Sequence, residues 1–131
     1  MNENGGIRGV VVAHGAMAEG MVDAVRRIAG SAADALQPLS NEGTSPAELK
    51  ALIDGAAGDG PVLLFADLEA GSCGMAVLST CHESGDRAVV CGVNLPILLD
   101  FVFHRDMPMD ELVERLLDKG RDGIRPVQPR T

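Results

Sequence analysis

The chain has 131 residues, of which 46% are apolar, with three Phe, no Trp, no Tyr and a formal net charge of −8. That length predicts one domain, and that apolar content excludes a disordered chain. The acidic balance and the missing aromatics exclude a nucleic-acid platform or an anionic membrane surface as the main partner, and are compatible with a basic protein partner.

No stretch approaches the roughly 20 apolar residues of a membrane span. Residues 1–6 are polar and the apolar run after them is short, which predicts no signal peptide. Cys73, Cys81 and Cys91 are odd in number and lack CxxC spacing. They read as reduced thiols of a cytoplasmic protein.

The first element is Ile7 to Ala13, a β-branched run that suits a strand buried on both faces of a parallel sheet. It stops on His14, and Gly15 permits a sharp turn. Met17, Met21, Val22, Val25 and Ile28 then recur at helical spacing, with Gly30 as the C-terminal stop. Ala35 to Leu39 reads as a second strand, followed by the polar loop Ser40 to Thr44. Ser45 and Pro46 open a second helix, with Glu48 at capping-box spacing and a buried stripe of Leu49, Leu52 and Ile53. Pro61 to Ala66 is a third strand, ending on Asp67, and Ser72 to Glu83 a third helix. After a turn at Ser84 to Asp86, Arg87 to Val93 is a fourth strand ending on Asn94. Pro96 starts a helix through Val102, and a last helix spans about Met109 to Lys119, ended by Gly120. Residues 124–127 could add an edge strand, where Pro126 is tolerated.

This βαβα alternation predicts an α/β fold: three αβα layers around a mainly parallel four-stranded sheet. Right-handed crossovers and the commonest arrangement at this size give the order 2-1-3-4. The switch point then lies between strands one and three, which end on His14 and Asp67.

Three strands thus end on His14, Asp67 and Asn94 at one sheet edge, with Gly71 and Ser72 just beyond Asp67. A carboxylate on one ring nitrogen fixes the histidine tautomer and leaves the other lone pair exposed. Such an imidazole is a nucleophile toward phosphoryl or acyl groups. The N–H groups of the 70–72 turn, opening a helix, would meet phosphoryl oxygens, and the Ser72 hydroxyl would add a donor. The residue types alone leave other roles open. His14 also fits a plain βα turn, Asp67 a turn cap, Ser72 an N-cap, and Asn94 suits shaping its turn better than touching a ligand. His82 and His104 read as surface residues, and Cys73 as a small packed residue. No histidine and cysteine share a metal-ligand spacing, so no metal and no cofactor is expected. GxxxxGK[ST] and GxGxxG are both absent, so a nucleotide site has no support.

Four blocks in order, VVAHGAMAEGM around His14, LSNEGTSPAEL, LLFADLEAGS around Asp67 and VVCGVNLPILLD around Asn94, make the chain resemble the IIA domain of the mannose-type sugar phosphotransferase system. The resemblance runs from about residue 7 to 124 and so implies a single IIA domain over 1–131. It implies that His14 is phosphorylated by the carrier protein HPr. The phosphate would pass to a IIB partner and, through it, to membrane IIC and IID proteins. It implies that Asp67 orients the histidine, that Gly71 and Ser72 bind the phosphoryl group, and that the protein is a homodimer in the cytoplasm, peripheral at most to a transporter. The family's turn after the aspartate typically reads Leu-Phe-Gly-Gly-Ser-Pro. Here Glu69, Ala70 and Cys73 replace its Phe, first Gly and Pro.

Two further readings stand beside the carrier. One is a regulatory phosphohistidine module of the same fold that binds a non-transport protein, which the altered turn favours. The other is an α/β ligand-binding domain whose His14 never carries phosphate.

Overall fold

The computed structural model describes residues 6–81 and 86–128. Strands β1 (Arg8–Ala13), β2 (Leu36–Ser40), β3 (Val62–Ala66) and β4 (Arg87–Cys91) pair in parallel in the order β2-β1-β3-β4. Helices α1 (Met17–Ala29), α2 (Pro46–Ala57), α3 (Ser72–Cys81), α4 (Leu95–Val102) and α5 (Met109–Asp122) connect and cover them. The α/β class and strand order are as the sequence predicts.

Side-chain alternation along the strands sorts the core into two layers. Val11, Leu63 and Phe65 face α1, α4 and α5, where they pack with Val22, Val25, Leu98, Phe101, Leu112 and Leu116. Val10, Val12, Leu64 and Ala66 face α2 and α3, against Leu49, Ile53, Cys73 and Val77. Phe65 and Phe101 meet edge to face at 5.2 Å between ring centroids. Gly9 makes room for this contact, since a Cβ there would lie 2.8 Å from the Phe101 ring.

The capping box of α2 forms as its sequence requires: the Ser45 N–H donates to Glu48 at 2.8 Å and the Glu48 N–H to the Ser45 hydroxyl at 3.1 Å. The larger departures from the sequence reading are four. A 3-10 segment, Gly30–Ala35, occupies the link after α1, so β2 starts at Leu36. Strand β4 stops at Cys91, because Gly92 turns at φ +75° and the N–H groups of Gly92 and Val93 both donate to the Ala66 carbonyl. Helix α5 runs through Gly120, whose missing side chain lets Ile97 close against it. Residues 124–128 form no strand, and Ile124 and Val127 are exposed. The expected end of the third helix and the following turn, with His82, lie outside the described residues. Among the described residues no helix is long and apolar enough to cross a membrane.

Candidate functional site

The site lies where β1 and β3, adjacent in the sheet centre, release the chain at their carboxyl ends. That is the crevice in which open α/β sheets place ligands. His14 leaves β1 and Asp67 leaves β3, and the pairing of Val12 with Ala66 sets them side by side. The Asp67 N–H still donates to the Val12 carbonyl at 3.3 Å, which fixes the aspartate before its side chain does anything.

The Asp67 Oδ2 atom accepts two hydrogen bonds from His14, one from the backbone N–H at 3.0 Å and one from ring Nδ1 at 2.8 Å. Its Oδ1 accepts the Leu68 N–H at 2.9 Å. Burial alone would push this carboxyl's pKa up, but the bonds from His14 and Leu68 outweigh it and hold the group below the usual carboxylate range. Asp67 is therefore an anion and can only accept. This assigns the proton to Nδ1 and the free lone pair to Nε2. The His14 side chain is 41% exposed and that of Asp67 only 7%, so the nucleophilic edge faces solvent while its orienting group does not.

Nε2 faces the start of α3. The Ser72 hydroxyl lies 3.5 Å from it. Gly71 sits at φ +94°, and a Cβ there would lie 3.6 Å from Nε2. Ser72 is the first residue of a ten-residue helix, whose first-turn N–H groups lack intrahelical acceptors. The turn between Asp67 and Ser72 is seated on Gly74, where a Cβ would fall 2.1 Å from the Glu69 carbonyl oxygen. No described non-glycine residue has a positive φ. Ala70 thus adopts an ordinary backbone angle, and Gly71 alone carries the left-handed step in this turn.

Cys73 is buried beneath the turn, and its thiol is pushed up to about 11, chiefly by burial and further by the Asp67 charge. Donor atoms of His14, Asp67 and Cys73 lie within 4.8 Å of one another, the one such group among the described residues that could hold a metal ion. The 2.8 Å contact between Nδ1 and Asp67 is already closed by a proton, and the thiol holds its own.

The remaining polar candidates lie elsewhere. Asn94 does not end β4 as expected but lies three residues beyond it, and its amide is consumed structurally: Oδ1 caps α4 through the Ile97 N–H at 3.2 Å, and Nδ2 donates to the Gly120 carbonyl at 2.9 Å. His104 is half-buried rather than a free surface group. Its Nδ1 donates to the Asp100 carbonyl at 2.8 Å, and the Asp100 carboxylate is shared with Arg115.

The sequence reading missed Asn41. It follows β2 directly, at the same sheet edge, and its amide spans the cleft: Oδ1 accepts the Gly15 N–H at 3.2 Å and Nδ2 donates to the Ser72 hydroxyl at 3.2 Å. Its signal was its place, since a polar residue leaving a strand next to the first one arrives beside His14. An apolar groove of about 610 Å³ runs between α2 and α3 up to Gly71 and Ser72, walled by Pro46, Ala47, Met75 and Ala76.

Comparison with known proteins bears on the fold and the family. The family described as "PTS system fructose IIA component", EIIA-man, matches residues 9–117. The phosphotransferase system component EIIA of Streptococcus agalactiae has the same fold, with a TM-score of 0.85 at 25% identity over 92% of this chain and 96% of that one. The mannose/sorbose-specific IIA subunit of Enterococcus faecalis superposes with a TM-score of 0.86 at 23% identity over 96% and 98% of the two chains. A sigma-54 interaction domain protein of Enterococcus faecalis shares the fold more distantly, with a TM-score of 0.70 at 12% identity over 92% and 95%. No curated protein matches the sequence. With the family matched over most of its length, from β1 into α5, the chain belongs to the mannose–fructose IIA family of the sugar phosphotransferase system.

Proposed function

We propose that the protein is a phosphoryl carrier of the phosphoenolpyruvate-dependent phosphotransferase system, taking phosphate from HPr onto His14 and passing it to a IIB partner. The observation that carries this reading is the divided imidazole. Nδ1 is held by Asp67, and Nε2 is turned toward the Ser72 hydroxyl at the start of α3. In the forward step the Nε2 lone pair attacks phosphorus. The bond from phosphorus to the HPr histidine breaks, and its electrons stay on that nitrogen. No proton has to leave His14, because Nδ1 keeps its own and the positive charge formed on the ring faces the Asp67 carboxylate. The phosphoryl oxygens lie toward the Ser72 hydroxyl and the first-turn N–H groups of α3, where an anion is favoured. The return step to IIB reverses these roles.

The groove between α2 and α3 suits an apolar side chain of a docking partner, and Met75 at its wall is 70% exposed. Family membership supports a phosphocarrier and a IIB protein as partners, a cytoplasmic location beside membrane IIC and IID proteins, and a homodimer. The regulatory reading is favoured by one feature, the exposed acid Glu69 on the turn beside the nucleophile. The likeness to a sigma-54 interaction domain protein is consistent with such a use of the fold.

The test is to mix the protein with enzyme I, HPr and labelled phosphoenolpyruvate, then add candidate IIB proteins. Acid-labile label is expected on the wild type, lost in His14→Ala and kept in His82→Ala and His104→Ala. Label that survives in His14→Ala overturns the assignment. Label that enters but never leaves to any IIB shifts the balance to the regulatory reading.

A further inference from the structure

We infer that Asn41 is a positioning residue for phosphoryl transfer, acting through Ser72 by dictating which way the serine hydroxyl donates. The inference rests on the phosphoryl-carrier reading above. The amide of Asn41 is not free to flip. Its neighbour Gly15 presents an N–H, which only the Oδ1 end can accept, and that leaves Nδ2 facing the Ser72 oxygen. The loop holds the residue on both sides: the Asn41 N–H donates to the Ala13 carbonyl at 3.3 Å, and the Asn41 carbonyl accepts the Thr44 hydroxyl at 2.7 Å. Ser40 completes the clamp by donating its hydroxyl to the Gly15 carbonyl at 2.7 Å.

The consequence falls on Ser72. A hydroxyl has one hydrogen, and its oxygen here is already accepting from Nδ2. The hydrogen is therefore directed away from Asn41, toward Nε2 of His14 at 3.5 Å and the neighbouring Cys73 sulfur. Once Nε2 carries phosphate, the same hydrogen meets a phosphoryl oxygen in that place. Without Asn41 the Ser72 hydroxyl can also turn its lone pairs toward the phosphoryl group. Asn41→Asp reverses the chain outright. The new carboxylate can still accept the Gly15 N–H, but it also captures the Ser72 hydrogen.

The experiment is a double-mutant cycle on the full chain. Asn41→Asp and Asn41→Ala are each made in the wild type and in Ser72→Ala, and folding is checked by thermal melting. The rate of labelling by phosphorylated HPr is read at saturating carrier and at low carrier, along with the rate at which the phosphorylated protein loses its label in buffer. In the wild-type background both substitutions should lower the saturated rate by on the order of tenfold and shorten the lifetime of the label, with KM for HPr within about twofold. In the Ser72→Ala background the additional loss should be under about threefold, because the group through which Asn41 acts is gone. A loop-holding role for Asn41 would give equal losses in both backgrounds, and that result overturns the inference while leaving the carrier reading intact. A wild type that takes no label fails the carrier reading itself, and the inference falls with it. If Asn41→Asp melts before the assay temperature, Asn41→Ala decides by the same comparison.

Discussion

One oxygen of Asp67 holds His14 at two points, the backbone N–H at 3.0 Å and the ring Nδ1 at 2.8 Å. A single carboxylate atom thereby fixes both where the histidine leaves its strand and how its ring is turned. The ring cannot rotate away from the α3 terminus without losing its bond to the atom that also holds the backbone N–H.

Asp67→Asn separates these duties. The amide can still accept with its oxygen, but its nitrogen then opposes either a His14 donor or the Leu68 N–H, and the nearly buried site leaves one donor unpaired. We expect a folded protein destabilised by about 1–3 kcal/mol. Labelling by phosphorylated HPr should fall on the order of tenfold to a hundredfold, since the group orients and does not take a proton. Rapid-quench labelling with a thermal melt measures both. An unchanged transfer rate would leave Asp67 as a turn cap.

The depressed Asp67 pKa has a consequence for acid stability. Its folded value lies below the ordinary 3.8, so the ionised form stabilises the fold above the unfolded value. That contribution is lost as pH falls through the folded value. Melting temperature should therefore hold between about pH 7 and 5 and drop below about pH 4. Asp67→Asn should flatten part of that drop. Part should persist, because Asp54 is also held low, first by its bond from Arg87, with the same sign. Melts of both proteins across this range would show it, and identical acid limbs would remove Asp67 from the account.

Gly71→Ala should damage the site more than the fold. The φ of +94° costs an alanine about 1–2 kcal/mol, and its Cβ would sit 3.6 Å from Nε2, in the space the proposed phosphoryl group would enter. Gly60 gives the matched control. It has φ +97° with nothing near a Cβ, and it precedes β3 at the opposite sheet edge. Both variants should lose similar stability, while only Gly71→Ala loses about tenfold or more in labelling rate. Equal labelling by the two would mean that Gly71 serves the turn alone.

Glu69→Phe tests partner choice. An apolar side chain on this exposed turn would contribute up to roughly 1.5–3 kcal/mol of docking if fully covered by a IIB partner. The glutamate forfeits that area and puts a negative charge on the turn that follows Asp67, which would repel a phosphoryl group on His14. We expect the variant to transfer faster to a mannose-type IIB and to be labelled by HPr at least as fast as the wild type. Transfer from the wild type at least as fast as from the variant would return Glu69 to an ordinary role in docking, with a basic partner residue opposite it.

The sheet was legible because its signals are local. Val10 to Val12 and Val62 to Ala66 are buried on both faces and read as continuous apolar runs. His14 and Asp67 were legible because strand order puts consecutive switch-point strands together, and each ends on its polar residue. Element ends were less so. Gly120 reads as a stop, yet it lies inside α5 because Ile97 needs the space, a contact 23 residues away that no local pattern carries. Asn94 reads from the sequence as a third strand-end residue, but β4 stops three residues earlier, at Cys91, and α4 and α5 claim its amide. Asn41 escaped for the converse reason. Its loop is polar throughout, and only the closing of β2 against β1 singles out which residue turns inward.

Gly74 gives the turn between Asp67 and Ser72 a property beyond its shape. The loop's own carbonyls rest where a side chain would be, so its path is set from beneath, by a residue already inside α3. Leu68, Glu69 and Ala70 are all exposed on the upper side of that path. Their identities can therefore drift without moving Gly71 or Ser72 relative to the histidine. In the proposed carrier, residues 68–70 could therefore change a partner contact while Gly71 and Ser72 keep their places beside His14.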